Sequence, residues 1–227
     1  MGAPNHYSRD IAIRCESLLR NLGPIVEGGL RDDQEFGGPL TTTFLLAMAT
    51  PMVVLPVERI FKQKNGTAGG ADDRFLDAGL AARVDHVLGD GKTFVQAPFG
   101  KLGGWARATS GPFNIAQPWD QELLDRLGRP EAEQAAREAP AKRMLLDLRN
   151  ALAHGGVAYL DKEGRQTFGR AAMLVFVSAQ RRDGKVVGLS VIRVGEDCFR
   201  SFLTAWSEWL RTTGVDTALA EEPSIAA

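Results

Sequence analysis

The chain has 227 residues, 44% apolar and 24% charged, with a formal net charge of -1, two cysteines and three histidines. This length allows one large domain or two small ones and burial of roughly 70% of the unfolded chain's surface, which excludes fibrous, collagenous and wholly disordered classes. Near-zero net charge removes the whole-molecule signature of a nonspecific DNA-binding protein but leaves room for a local basic site. Cys15 and Cys198 stand far apart with no CxxC unit, which points to free thiols in a reducing compartment. The opening MGAPNHYSRD lacks the basic and apolar regions of a signal peptide, so the expectation is a cytoplasmic protein.

Tyr7 to Leu22 predicts a first helix, with Ile11, Cys15, Leu18, Leu19 and Leu22 at helical spacing, ended by GPIVEGGL. Phe36 to Val57 is uncharged over 22 positions and long enough to cross a bilayer. Pro51, Pro56 and four threonines interrupt it, and no flanking lysine block orients it, so it reads as a buried helix of a soluble protein, apolar all round. That helix starts near Pro39, continues through Glu58 to Phe61, and is expected to kink or break at both prolines. After a solvated turn from Lys62 to Gly70, a third helix is predicted over Ala71 to Leu88, with Phe75, Leu80, Val84 and Leu88 inward.

Gly89 to Pro118 holds six glycines and three prolines but also Phe94, Phe99, Trp105 and Phe113, so it reads as a long irregular flap packed by its aromatics. Short helices follow over Trp119 to Leu127 and Glu131 to Glu138, then a clear one over Pro140 to His154 that ends at Gly155 and Gly156. Val157 to Leu160, Ala171 to Ala179 and Lys185 to Arg193 read as two or three strands, with Arg181 to Gly184 as a hairpin turn. A final amphipathic helix spans Gly195 to Arg211, with Phe199, Phe202, Leu203, Trp206, Trp209 and Leu210 on one stripe. The expected fold is mainly α: one domain over 1–211, an antiparallel helical bundle with a small antiparallel hairpin or sheet near the C-terminus, and a flexible tail over 212–227.

His6 lies near the chain start and His86 sits beside a single acidic residue, so neither suggests a site. His154 closes DLRNALAHGG, in which Asp147, Asn150 or Ala151, and His154 share one helical face. Arg149 stands about 140° around from His154 on a regular helix, so the pair converges only through a bend at the helix end or through a second subunit. A histidine in a last turn before glycines also fits simple interaction with the helix's negative end. Asp147 could set the imidazole tautomer or pair with Arg143 one turn away.

RNALAH is similar to the signature of the HEPN superfamily, an arginine and a histidine separated by four to six residues, often with a polar residue directly after the arginine. The run LLAMATPMVVLPVERIF resembles the apolar helix, ending in a proline and a glutamate, of one HEPN subgroup of plasmid-associated and bacterial proteins. The resemblance covers most of Tyr7 to Leu210 and implies a helical bundle that pairs as a homodimer around a composite site. It also implies a ribonuclease needing no metal and no cofactor, a toxin or defence effector with an antitoxin or nucleotidyltransferase partner. By the same carry-over His154 moves protons during attack of a ribose 2'-hydroxyl, Arg149 holds the phosphate, and Asn150 orients His154 or binds the backbone. A noncatalytic helical interaction module on the same scaffold, or a nucleotide-binding protein, is the alternative.

Histidine titrates near operating pH and RNA carries its own nucleophile, so the chemistry needs no metal ion. No second nearby histidine, clustered cysteine pair or H-E-x-x-H arrangement supports a metal centre. Lys142 to Arg193 contains ten basic and four acidic residues, an excess of six in a chain of net charge -1, which would attract a phosphate backbone. No membrane partner is expected.

Overall fold

The computed structural model describes residues 7–29, 40–61, 78–167 and 169–213. Helix α1 (Tyr7–Glu27) runs past its expected end, through Gly23 and Pro24. Pro24 removes only the amide that would bond to the carbonyl of Arg20, an exposed residue whose carbonyl water can serve. Helix α2 (Thr41–Phe61) is one uninterrupted helix, so neither Pro51 nor Pro56 ends it. The reason at Pro56 is specific. A proline there leaves the carbonyl of Met52 without its i+4 donor, and the buried indole Nε1 of Trp206 donates to that carbonyl at 2.8 Å.

Helix α2 is apolar and long enough to span a membrane by length and composition, yet Leu45, Ala49, Met52, Val53 and Val57 sit at zero exposure in the protein core. It is not buried all round: Thr43 and Ala47 are exposed and Leu46, Met48 and Val54 are half-buried. Helix α3 (Ala78–Leu88) is shorter than predicted within the described residues, and Phe75 lies outside them, as does His6.

The predicted helical bundle is incorrect. The described chain is mixed α/β, with a four-stranded antiparallel sheet beside its seven α-helices. The unforeseen strand is β1 (Trp105–Ser110), inside the glycine-rich stretch read as irregular. The others are β2 (Val157–Leu160), β3 (Met173–Arg182) and β4 (Lys185–Gly195), in the spatial order β1-β4-β3-β2. Between β1 and β2 lie α4 (Gln121–Leu127), α5 (Pro130–Glu138) and α6 (Ala141–His154), and α7 (Glu196–Thr212) follows β4.

Alternation along the strands gives the sheet two apolar faces. Trp105, Leu174, Phe176, Ile192 and Val194 point into the main core with α1, α2, α6 and α7, where Phe94, Phe99, Phe199, Phe202 and Trp206 form an aromatic cluster. Val175, Val177, Leu189 and Val191 point to the opposite side and are covered by Trp119, Leu123, Leu124 and Leu127 at α4. A sheet covered on both faces is a layer of the domain rather than an appendage to a bundle.

Candidate functional site

Helix α6 is placed by contacts at several points along its length. Leu145, Leu148 and Ala151 are fully buried on its core face. Asp147 reaches Arg107 on β1, Asn150 reaches Ser178 on β3, and Gly156 packs against β3 just beyond the helix. The helix therefore crosses the sheet at the level where β2 begins and β1 nears its end. The two glycines after His154 have separate duties. Gly155 takes a left-handed conformation (φ 70°) as the C-cap, where glycine avoids the Cβ clash. At Gly156 a Cβ would lie 2.3 Å from the carbonyl oxygen of Val177, and that close approach lets the amide of Val177 donate to the Gly156 carbonyl at 2.7 Å.

Arg149 turns toward α2 and forms an ion pair with Glu58. Its Nη1 also donates to Oδ1 of Asn150 at 2.6 Å, while the amide nitrogen of Asn150 donates to Oγ of Ser178 at 3.3 Å. One chain of polar contacts thus runs from α2 through α6 to β3. Arg149 is about one quarter exposed, and its Nε is buried without a hydrogen-bond partner among the described residues. A guanidinium anchored on two sides is pre-oriented, and its remaining donors suit a tetrahedral oxyanion.

His154 stands one turn beyond Asn150 and is exposed. Among the described residues its imidazole has no hydrogen-bond or ion-pair partner, and α6 stays helical through His154, so no bend at the helix end turns it toward Arg149. Asp147, 1% exposed, engages arginines instead of His154. Arg143 approaches its two carboxylate oxygens at 3.0 and 3.1 Å, and Nη2 of Arg107 lies 3.7 Å away. The approach of Arg143 Nη2 to Oδ1 is a charge contact whose angle falls outside hydrogen-bond geometry. Ser190, cross-strand neighbour of Ser178, adds a buried hydroxyl without a partner among the described residues to the sheet surface under α6.

Sequence reasoning missed Glu58, Ser178 and Arg107 as partners. The glutamate was visible at the end of the apolar helix, but its partner on α6 is a long-range contact that no local spacing encodes. Trp105 is only 3% exposed and belongs to the aromatic core, so it offers no platform for stacking a base. The basic excess of residues 142–193 does not form one patch. Arg193 is half-buried on the side of the sheet away from α6, where burial pulls its pKa below the usual arginine value and the charge of Glu133 partly restores it. Among the described residues no three His, Cys, Asp or Glu side chains cluster as metal ligands.

Comparison of the chain with protein-family models, with curated proteins and with solved structures gives no match.

Proposed function

We propose that the chain is a metal-independent endoribonuclease of HEPN type, acting in the cytoplasm. The observation that carries this reading is the ion pair between Glu58 and Arg149. The two segments whose sequences resemble the family, the end of the apolar helix and RNALAH, meet through their charged residues, and RNALAH ends in an exposed histidine. In the reaction His154 withdraws the proton of a ribose 2'-hydroxyl and that oxygen attacks the adjacent phosphorus. The bond to the 5'-oxygen breaks, and the leaving group takes up a proton. Arg149 meets the phosphate and stabilises the charge that grows on its oxygens. Because its two terminal nitrogens already serve Glu58 and Asn150 and its Nε is buried, a phosphate oxygen binds at the second N–H of a terminal nitrogen or by exchange with Glu58.

Separation of His154 from Arg149 within one protomer favours a two-fold homodimer in which the second copy completes the cleft. Leu18, Leu22 and Ile25 make an exposed apolar stripe on α1 suited to self-association. Light scattering should give twice the chain mass, and a strict monomer at high concentration with RNA present rejects the shared cleft. An antitoxin or nucleotidyltransferase partner fits a toxin role for such a nuclease. The direct test of activity is RNA cleavage in EDTA by the wild type, Arg149→Ala and His154→Ala.

A second reading has its own support. The contacts that pre-orient Arg149 and Asn150 also tie α2, α6 and β3 together, the behaviour of a noncatalytic interaction module. Stability and activity together separate the two: if Arg149→Ala unfolds the protein while neither the wild type nor His154→Ala cleaves RNA, the module reading stands.

A further inference from the structure

The outer ends of β3 and β4 extend past the rest of the sheet. Strand β1 stops at Ser110, opposite Leu189, and β2 starts at Val157, opposite Phe176. Beyond those positions residues 180–188 continue as a two-stranded ribbon, closed by Asp183 (φ 50°) and Gly184 (φ 77°). Two successive positive φ values match the tight hairpin turn that follows the natural strand twist. Gln180 pairs with Gly188 but Arg181 pairs with Val186, so Val187 is an inserted bulge residue that bends the ribbon.

Every residue from 181 to 187 is exposed. Three are basic, Arg181, Arg182 and Lys185, against the single acid Asp183, in a chain whose total charge is -1. Nη1 of Arg181 braces the turn by donating to the carbonyl of Gly184 at 3.1 Å. Among the described residues neither Arg182 nor Lys185 has an ion-pair partner. The ribbon grows from Ser178, the residue that Asn150 holds, and four residues of strand carry Arg182 about 13 Å beyond that contact.

We infer that the 180–188 ribbon is an RNA-binding arm that grips the phosphate backbone flanking the scissile bond; this rests on the ribonuclease reading of the α6 site. A protruding, twisted ribbon with a cationic tip complements a polyanion, and its apolar residues are only Val186 and Val187. Its position beside the end of α6 lets one strand of RNA touch the tip while a phosphate further along reaches Arg149. The energetic contribution is electrostatic and sequence-independent, so it governs affinity and salt dependence rather than the choice of base.

The test uses the triple variant Arg181→Gln, Arg182→Gln, Lys185→Gln, whose changes are all exposed. Binding is measured by fluorescence anisotropy on a 20-nucleotide 2'-O-methyl RNA, which lacks the nucleophile, from 50 to 300 mM salt. The expected result is affinity at least ten-fold weaker at low salt, with the slope of log K against log salt reduced by about 2, near 0.7 per lost single-strand phosphate contact. Cleavage of long RNA should show a raised KM and an unchanged kcat. Equal affinity and slope in wild type and variant overturn the arm, as does a wild type that binds no RNA. A variant that changes oligomeric state while keeping RNA affinity also overturns it and makes the ribbon a protein contact. Ribbon-dependent binding by a wild type that does not cleave RNA supports the arm while rejecting the nuclease reading.

Discussion

Replacing Trp206 by Phe tests how a helix with an internal proline is held inside this core. Pro56 deprives the carbonyl of Met52 of its helical donor, and the indole of Trp206 replaces it at 2.8 Å, both Met52 and Trp206 being fully buried. Phenylalanine keeps most of the ring but offers no N–H, so the carbonyl is left unsatisfied at a cost of about 1–3 kcal/mol. The smaller ring also leaves a void of roughly 40 Å³, worth about 1 kcal/mol at roughly 24 cal/mol per Å³. The single substitution should therefore destabilise by about 2–4 kcal/mol. Urea denaturation followed by circular dichroism measures this without relying on the altered tryptophan signal. The decisive comparison repeats Trp206→Phe in a Pro56→Ala background, where the alanine amide restores the backbone donor. There the cost should fall by about 1–2 kcal/mol, and costs equal to within roughly 0.5 kcal/mol in the two backgrounds would refute the reasoning.

Three further outcomes follow from the packing and the site. Gly156→Ala places a Cβ against the Val177 carbonyl and should destabilise by about 1–3 kcal/mol in urea; a change within about 0.5 kcal/mol would show that the join between α6 and β3 yields freely. Burial pushes the Cys15 thiol up in pKa, so the native state holds that proton more tightly than the unfolded state. Its contribution is present in full below the unfolded thiol's pKa and is lost as pH rises through the higher folded value. Stability should thus fall in mildly alkaline buffer, less steeply for Cys15→Ala, and identical pH profiles contradict the assignment. Glu58→Gln removes the carboxylate that occupies Arg149 and should tighten RNA binding a few-fold in an anisotropy titration, whereas weaker binding would mean that the glutamate mainly positions the arginine.

Local signals served the sequence where structure is made locally. The strands around Asp183 and Gly184 and the helix ending at His154 were legible because turn glycines, capping and periodicity all act over a few residues. Strand β1 was not, because WARATS has only one large apolar residue and sits among glycines, and it is a strand by virtue of pairing with β4 from Trp105 opposite Val194 onward. That long-range pairing turned an expected bundle into a layered α/β domain. That Pro56 does not break α2 was hidden for a similar reason: the group that satisfies the orphaned Met52 carbonyl arrives from α7. At the site, spacing placed Asp147, Asn150 and His154 along one face of α6, and it set Arg149 apart from His154. It could not supply Glu58, Ser178 or Arg107, which come from three other elements.

Product-end analysis of RNA treated with wild-type and His154→Ala protein in EDTA tests the cleavage chemistry most directly. Attack by the 2'-hydroxyl requires a 2',3'-cyclic phosphate and a 5'-hydroxyl, and DNA of the same sequence should stay intact because it lacks the nucleophile. Loss of His154 should slow cleavage by about 100-fold or more, the scale of positioned proton transfer, while RNA binding persists. A 5'-phosphate product, activity that appears only with a divalent metal, or equal cleavage by His154→Ala would contradict the mechanism and leave Arg149 and His154 as parts of the scaffold.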